Sequence, residues 1–362
     1  MTRVRVLIVA PSLGILGGQA VVAKALCDRL AATAGVEVGF LAVNPALPGL
    51  LGWLQRFKYV RTIVTSLAYG YTLLSTVWRY DVIHAFSASY YSYLLAPLPA
   101  LLAARAFGRK ALLNYHSGEA EDHLTHWPLS RWTIRSIPHR VIVQSAYLAH
   151  TFAKFGIKSS AIANFVALEP LPFRARPRPS PRIISNRNLE PMYNVGAIVR
   201  AFAIVQQAHP EAELLIAGDG SQRSMLEELV ASLRLQHVTF VGRIPNQDLG
   251  ALLNRSDIYA NASLIDNMPM SIIEAFACGL PVVTSDAGGI PFMVAHEETG
   301  LIIAGGSSEG LALAIIRLLG EPGLADRLTR NARAECEHRY TWSRVEAKWR
   351  DCYDSLANER LS

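Results

Sequence analysis

The stretch that decides the fold runs from residue 257 to residue 291, DIYANASLIDNMPMSIIEAFACGLPVVTSDAGGIP. Residues 257–261 and 280–285 are short apolar runs of the kind that form buried strands. Between them, residues 270–278 have helical spacing and stop at Gly279, a residue that often ends helices in the left-handed conformation. A strand, a helix and a second strand in this order predict part of a parallel sheet.

Two carboxylates in this stretch, Asp266 and Glu274, are separated by seven residues, one before the predicted helix and one within it. Ligands of parallel α/β sheets bind at the carboxyl ends of the strands. Both side chains are therefore expected in or near one crevice. A purely structural acidic pair is the alternative, but spacing, flanking residues and position together favour a ligand site.

This pattern resembles glycosyltransferase family 4, the retaining glycosyltransferases with the GT-B fold. The signature of that family is an acidic residue, seven residues and Glu, followed by a run similar to residues 275–283, AFACGLPVV. The first acid is usually Glu and here is Asp266. The resemblance covers almost the whole chain and is strongest in residues 183–305. It implies an α/β GT-B fold: two Rossmann-like domains with parallel sheets facing across a central cleft, and a C-terminal helix crossing back to the first domain.

The domain division expected from this resemblance follows the composition of the chain. Residues 1–170 form the acceptor-side domain, and residues 183–340 the donor-binding domain. Between them, residues 171–182 are rich in proline and arginine, which is typical of a stiff linker. Residues 341–362 form the returning helix. Within the first domain, residues 161–166 are expected to form a strand, and residues 90–107 a helix broken at Pro97 and Pro99.

The composition limits the classes of function. The chain has 362 residues, 51% of them hydrophobic and 18% charged, a mean hydropathy of +0.22 and a net charge of +6. The positive charge favours anionic partners such as nucleotides, phosphates or an acidic membrane face. The sequence has no basic stripe interleaved with aromatic residues, and so it gives no indication of a nucleic-acid partner. The four cysteines are scattered without a Cys-x-x-Cys pair, as expected of reduced thiols in the cytoplasm. No apolar run has the length of a membrane span.

The resemblance assigns roles to residues around the acidic pair. It implies that Glu274 binds the ribose hydroxyls and that Asp266 faces the donor hexose. It also implies that residues of the adjoining loop and first helical turn line the donor site, namely Asn267, Met268, Pro269, Met270 and Ile273. In the first domain, a His after a predicted strand faces the donor sugar and its phosphates in family members. His116 is in this position and is favoured over His84, His123 and His126.

The diphosphate is the part of the donor where the chain departs from the family. Family members carry an Arg and, five residues later, a Lys that hold the diphosphate. An ungapped match places Asn188 and Tyr193 at these positions, and Arg187 lies one residue early. Arg187 is predicted to take over this catalytic role; the alternatives are a different Arg or weakened catalysis. Gly17 and Gly18 precede a predicted helix, where their amides either approach the diphosphate or form a simple tight turn.

The resemblance implies that two further loops of the second domain lie near the nucleotide. The first contains Gly218, at the end of a predicted strand, and the second contains Arg243 and Ile244. Arg243 is either a phosphate or base neighbour or a member of a surface ion pair. The polar loop with Glu119, which follows His116, either contacts an acceptor or is simply solvated.

Residues 50–80 are helix-like and carry aromatic residues among Arg and Lys. They form either helices packed on the sheet or an amphipathic face that rests on a membrane. The second possibility favours a glycan or lipid-linked acceptor and a peripheral position on the inner face of the plasma membrane.

The sequence thus predicts a retaining enzyme that moves a hexose from a UDP- or GDP-sugar to an acceptor hydroxyl in envelope glycan assembly. No cofactor is expected, and no metal, because the chain has no Asp-x-Asp motif. Another nucleotide-sugar enzyme of the GT-B fold, such as a sugar-phosphate synthase or an epimerase, is one alternative. A non-catalytic scaffold of a polysaccharide assembly complex is the other, and the missing Arg and Lys are its support.

Overall fold

The computed structural model describes residues 3–12, 18–46, 53 and 57–359, without the side chains of residues 58 and 59. The described chain divides into two compact units. Unit 1 comprises the described residues up to Ile162 and those from Glu346 onward, and unit 2 is Ala163–Val345. The proline- and arginine-rich segment 171–182 lies within unit 2.

The described part of unit 1 contains a parallel sheet with the strand order β2-β1-β3-β4-β5-β6. Its central strands are buried almost throughout, because helices cover both faces of the sheet and near-continuous apolar runs suit such strands. The strands are β1 (Val4–Ala10), β2 (Val36–Ala42), β3 (Val82–Ser87), β4 (Lys110–Tyr115), β5 (Arg140–Val143) and β6 (Ser160–Ala161).

The helices of unit 1 divide between the two faces of this sheet. The chain moves in one direction from β1 to β2 and in the other direction from β2 to β6. Right-handed crossovers therefore place α1 on one side and the later helices on the other, which we call the α2 side. The helices are α1 (Gly18–Ala31), α2 (Lys58–Thr76), α3 (Tyr91–Leu95), α4 (Pro97–Ala106), α5 (Ala120–His126), α6 (Pro128–Ser136) and α7 (Ala146–Lys154).

Two sequence-based expectations for unit 1 are corrected. The helix in residues 90–107 breaks only before Pro97, because Pro99 lies in the first turn of α4, where a missing N–H costs no hydrogen bond. The strand expected over residues 161–166 stops at residue 161. The backbone amide of Val166 instead donates to the carbonyl of Tyr340 at 2.8 Å, which takes the chain into unit 2.

The described part of unit 2 contains a second parallel sheet, with the strand order β12-β11-β10-β7-β8-β9. The strands are β7 (Arg182–Ser185), β8 (Glu213–Ala217), β9 (Val238–Gly242), β10 (Ile258–Asn261), β11 (Val282–Ser285) and β12 (Leu301–Ile303). The remaining helices are α8 (Val195–Ala208), α9 (Arg223–Ser232), α10 (Asn246–Arg255), α11 (Met270–Cys278), α12 (Ser308–Gly320), α13 (Leu324–Arg339) and α14 (Trp342–Asn358).

The helix predicted over residues 270–278 is confirmed as α11. It ends at Gly279, whose φ of +71° is in the left-handed region. A Cβ atom at this position would lie 2.6 Å from the ring of Phe173 and 2.7 Å from the carbonyl oxygen of Arg174. Only glycine satisfies both constraints, so the turn from α11 into β11 is tightly specified.

The segment 171–182 is held against α10 and α11 by Arg176, which is 2% exposed. Its guanidinium lies 3.6 Å from the buried Asp257, which also pairs with Arg174 and Arg182. It donates mainly to backbone carbonyl oxygens, those of Leu253, Ser256, Arg174, Cys278 and Gly279, at 2.6–3.3 Å. An arginine in the proline-rich segment thus joins three separate parts of unit 2.

Helix α14 returns the chain to unit 1, as predicted. The hydroxyl of Tyr353 lies 2.8 Å from Nδ1 of His84 on β3. Arg140, at the start of β5, donates to Oγ of Ser355 at 2.8 Å. The latter part of α14 is therefore anchored to the first sheet by both buried and partly exposed polar contacts.

Candidate functional site

The candidate donor site of unit 2 is built at the carboxyl ends of β7 and β10, which are neighbours in the sheet. Asn186 and Arg187 directly follow β7, and Asp266 lies in the loop after β10. Glu274 projects from α11, the helix that this loop enters. The parallel sheet thus brings together residues that are far apart in sequence.

Arg187 is nearly buried and is the cation of this site. Its Nη2 atom donates to Oδ2 of Asp266 at 2.6 Å, and its Nη1 atom donates to Oγ of Ser271 at 3.0 Å. Its guanidinium carbon lies 4.1 Å from the ring centroid of Tyr193, which is a cation–π distance. Burial lowers the pKa of Arg187, but the charge of Asp266, together with the smaller effects of Tyr193, Tyr259 and Glu274, holds the pKa above its usual value. The site therefore keeps a fixed positive charge.

Asp266 is fixed by contacts on both sides of its carboxylate. Besides the ion pair with Arg187, its Oδ1 accepts a hydrogen bond from the amide of Asn267 at 3.0 Å. Its backbone carbonyl accepts from the amide of Gly289 at 3.1 Å. A Cβ atom at Gly289 would lie 2.0 Å from the carbonyl oxygen of Asn267, so this turn requires glycine. The predicted hexose-facing residue is therefore held by rigid backbone.

Glu274 has the titration behaviour of a shielded carboxyl. Burial raises its pKa to about 7, although a hydrogen bond from Asn186 and the charge of Arg187 act in the opposite direction. Asn186 donates from Nδ2 to Oε2 of Glu274 at 3.1 Å. The carboxyl thus changes charge near neutral pH, and ligand hydroxyl groups that donate to it would favour its ionised form.

Gly218 packs closely against the backbone of Arg187. Its φ is +145°, and a Cβ atom there would lie 2.2 Å from the carbonyl oxygen of Arg187. Two residues later, a Cβ atom at Gly220 would lie 2.5 Å from the carbonyl oxygen of Leu189. The glycine turn after β8 therefore fixes the segment that carries the cation of the site.

Gly218→Ala is expected to lower the free energy of unfolding by about 2–4 kcal/mol. The new methyl group would clash with the backbone carbonyl of Arg187, and the φ of this residue is unfavourable for alanine. Urea unfolding measures this change. The matched control is Gly320→Ala at the end of α12, where a Cβ atom meets nothing within 4 Å. Equal unfolding midpoints for the two variants would contradict the proposed close packing.

The other predicted donor residues of unit 2 differ in accessibility. Asn267 and Met268 are buried, and the side chain of Ile273 lies entirely in the core, where it cannot contact a ligand directly. Pro269 is the residue before α11, and Met270 is its first residue, so that the first amides of the helix have no intrahelical acceptor. Around them, Asn188 and Ile244 are half-buried and Arg243 is exposed.

The candidate residue of unit 1, His116, directly follows β4, which pairs with β3 in the first sheet. The rings of His84, Phe86 and His116 form a stack, with centroids 4.9 Å apart in each pair. Burial lowers the pKa of His116 to about 3, so its imidazole is neutral at physiological pH. Its Nε2 atom is shielded from solvent and bonds no described residue. A neutral imidazole with a free nitrogen can accept or donate one hydrogen bond to a sugar hydroxyl.

The other predictions for unit 1 have varied outcomes. Gly18 begins α1, and Gly17 lies outside the described residues. His84 is bound to α14 and His123 is buried within the helices, so neither has the position of His116. Burial and then the charge of Asp122 raise the pKa of Glu119 above its usual value.

Sequence analysis missed two residues that shape the donor site. Asn186 binds Glu274, and Ser271 binds Arg187, while Tyr193 was recognised only as a departure from the family. The position of Asn186 at the end of a central strand was a signal that could have identified it. Ser271 lies one turn before Glu274 on α11, so that its orientation toward the site could also have been inferred.

Comparison with known families identifies the family to which this chain belongs. Residues 172–335 match the family described as glycosyl transferases group 1, and residues 16–169 match that described as Glycosyltransferase Family 4. Glycogen synthase from Mycobacterium tuberculosis is 30% identical over 74% of this chain and 67% of its own length. The chain belongs to glycosyltransferase family 4.

Three further similarities extend this relationship. One is to a mannosyltransferase from Corynebacterium glutamicum, described as GDP-mannose-dependent monoacylated alpha-(1-6)-phosphatidylinositol monomannoside mannosyltransferase. It is 31% identical over 45% of this chain and 44% of its own length. Among solved structures, sucrose-phosphate synthase from Thermosynechococcus elongatus has a TM-score of 0.81 at 22% identity and covers 98% of this chain and 99% of its own. The Anabaena protein HepE, solved with UDP and glucose, has a TM-score of 0.77 at 20% identity, with 98% and 100% covered. The two α/β units therefore have the GT-B fold, and the protein is a glycosyltransferase.

Proposed function

We propose that this glycosyltransferase moves a hexose from a UDP- or GDP-sugar to an acceptor hydroxyl, with retention at the anomeric carbon and without a metal ion. The observation that carries the proposal is the arrangement of Arg187, Asp266 and Glu274 at the carboxyl ends of β7 and β10. The relatives support the donor class, because one is GDP-mannose-dependent and the HepE structure contains UDP.

Arg187 takes the role that an Arg and a Lys share elsewhere in the family. When the bond between the anomeric carbon and the diphosphate breaks, negative charge grows on the leaving oxygen and must be stabilised. A guanidinium can donate two parallel hydrogen bonds to phosphate oxygens, and Tyr193 and Ser271 hold this one in place. Its fixed charge is our reason for proposing that no metal ion is required.

Asp266 and Glu274 position the rest of the donor. Asp266 accepts hydrogen bonds from hexose hydroxyls, and its charge favours the positive, oxocarbenium-like sugar of the transition state. Glu274 accepts from the ribose hydroxyls. For His116, which is neutral at physiological pH, we propose the hydrogen bond to the donor sugar that the family resemblance assigns to it. The acceptor oxygen then forms its bond on the face that the diphosphate leaves, and its proton passes to the departing phosphate oxygen.

We place the acceptor among envelope glycans or lipid-linked sugars at the inner face of the plasma membrane. The protein would then be a peripheral protein of the cytoplasm. The positive net charge and the aromatic, basic composition of residues 57–80 support this location. No helix among the described residues is long and apolar enough to cross a bilayer.

Binding of UDP, GDP and ADP by calorimetry tests the donor class and the role of Glu274 together. Because its pKa of about 7 should fall when ribose hydroxyls donate to it, affinity is expected to rise about tenfold from pH 6 to pH 8 and then level off. Glu274→Gln should bind the nucleotide more weakly and lose this part of the pH dependence.

The Glu274→Gln variant also controls for ionisation of the nucleotide phosphates, because the phosphates contribute equally to the pH dependence of binding in both proteins. An identical pH dependence of the two proteins would contradict the assignment of Glu274 to the ribose. If none of the three nucleotides binds at millimolar concentration, the protein is a non-catalytic scaffold and the proposed transfer is wrong.

A further inference from the structure

Helix α2 is apolar on two opposite faces. Tyr69 and Leu73, and Val77 in the turn after the helix, are buried against the rest of unit 1. On the other face, an apolar stripe at helical spacing points to solvent. Its members are Ile63, Leu67, Tyr71, Leu74 and, in the turn after the helix, Trp78, which are 63%, 69%, 78%, 54% and 50% exposed. Such a stripe is typical of a helix that packs on a second surface.

Neighbouring helices extend this apolar surface. Helices α3, α4 and α6 lie on the same α2 side of the sheet by the right-handed crossover rule, and α2 directly contacts α4. Each of these helices carries large apolar side chains that are 49–70% exposed: Tyr91 and Leu95 on α3, Leu102 on α4, and Leu129 and Trp132 on α6. The α2 side therefore presents large apolar side chains from four helices to solvent.

The charges on these four helices have one sign. The sequences of α2, α3, α4 and α6 contain no Asp or Glu. They contain Lys58, Arg61, Arg105, Arg131 and Arg135, although Arg105 already bonds His139. These four helices add only cations to the apolar surface, whereas Glu121 and Asp122 lie on the neighbouring helix α5. A surface of this kind matches an anionic bilayer, in which acyl chains accept the apolar residues and phosphates accept the arginines.

A hollow of about 480 Å³ lies where α6 meets the end of α7. It is lined by Arg131, Trp132, Arg135, Lys154, Phe155 and Pro128. Lys154 is paired with Glu121, whereas Arg131 and Arg135, one helical turn apart, have no acidic partner in the part of the chain that the structure describes. Two free guanidinium groups beside aromatic rings suit a phosphate attached to an apolar chain.

We propose that the α2 side of unit 1 binds an anionic lipid bilayer, with the apolar stripe of α2 in the boundary between headgroups and acyl chains and a lipid phosphate in the hollow of α6. A second copy of this chain fits the surface less well, because a symmetric contact would bring its arginines together. The proposal deepens the proposed function and rests on it for the membrane-bound acceptor, whereas lipid binding itself requires no sugar transfer.

Co-sedimentation with vesicles tests the proposal. The protein is expected to bind vesicles of phosphatidylcholine with phosphatidylglycerol much more strongly than phosphatidylcholine alone, and to be released by salt. The triple variant Leu67→Ser, Tyr71→Ser, Leu74→Ser should bind at least tenfold more weakly. The double variant Arg131→Gln, Arg135→Gln should lose about tenfold for the anionic vesicles only.

Matched controls use exposed residues on helices that do not form this surface. Leu313→Ser on α12 removes a 59% exposed leucine, and Arg255→Gln with Arg350→Gln removes the same net charge as the arginine double variant. Both controls should bind the anionic vesicles like the unchanged protein. All variants should bind nucleotide unchanged, which separates a failure of lipid binding from a failure of the donor assignment.

Three results would overturn the proposal. The first is failure to bind anionic vesicles at low salt, and the second is an equal loss of binding in the control variants. The third is a dimer that forms with rising protein concentration and that the serine triple variant abolishes, since the occupant of the surface would then be a second copy.

Discussion

Replacing Arg187 by alanine is expected to slow sugar transfer by about a hundred- to a thousandfold, the typical effect of removing a donor that stabilises transition-state charge. Arg187 is the buried cation beside Asp266, and the positions at which the family carries an Arg and a Lys hold Asn188 and Tyr193 here. Since these residues carry no positive charge, the loss of Arg187 leaves the growing charge of the diphosphate without a guanidinium. Initial rates with the nucleotide sugar that the binding experiment selects measure the effect.

Two further variants distinguish this role from a general disturbance of the site. Arg187→Lys keeps the charge but cannot form two parallel hydrogen bonds or stack on Tyr193 equally well, so an intermediate loss is expected. Arg243→Ala removes an exposed arginine from the neighbouring loop and should change the rate less than threefold. If Arg187→Ala remains folded and keeps more than a tenth of the rate, another group stabilises the diphosphate and the proposed mechanism is wrong.

Replacing Arg176 by leucine should lower the free energy of unfolding by about 3–5 kcal/mol, as observed when one partner of a buried charged network is removed. The cost arises mainly from the backbone carbonyls of Ser256, Cys278 and Gly279, which are buried with this guanidinium and lose their donor. Asp257 keeps two other arginines and so remains paired.

The matched control is Arg178→Leu, because Arg178 is exposed and lies two residues further along the same segment. Its stability should change by less than about 0.5 kcal/mol. Urea unfolding gives the difference, and amide hydrogen exchange in α11 assigns it to unit 2. Equal exchange rates in the two variants would show that Arg176 does not hold the segment against this helix.

Much of the fold followed from local sequence, because its signals act over a few residues. The helix over residues 270–278 was predicted with the bounds that the structure has, since apolar spacing and Gly279 define it without distant partners. The apolar run at residues 4–10 was likewise sufficient for a buried parallel strand. Other boundaries failed where distant contacts decided them, as in residues 161–166, where Val166 pairs with a residue near the end of unit 2.

The candidate site was only partly determined by sequence. The spacing of Asp266 and Glu274 identified both acids, because one helix carries the second acid and one loop the first. The contact between Arg187 and Asp266 joins residues 79 positions apart, and only the adjacency of β7 and β10 creates it. The raised pKa of Glu274 also depends on burial by side chains from other elements.

The sequence by itself determined the strands, the helices and the two acids, since these depend on side-chain periodicity and on the chemistry of neighbouring residues. The tertiary structure alone decided which cation meets Asp266, that Arg176 in a proline-rich segment is buried, and which of the two apolar faces of α2 is left to solvent. Each of these outcomes depends on which distant elements pack together, because burial and ion pairing are properties of the space around a residue and not of its position along the chain.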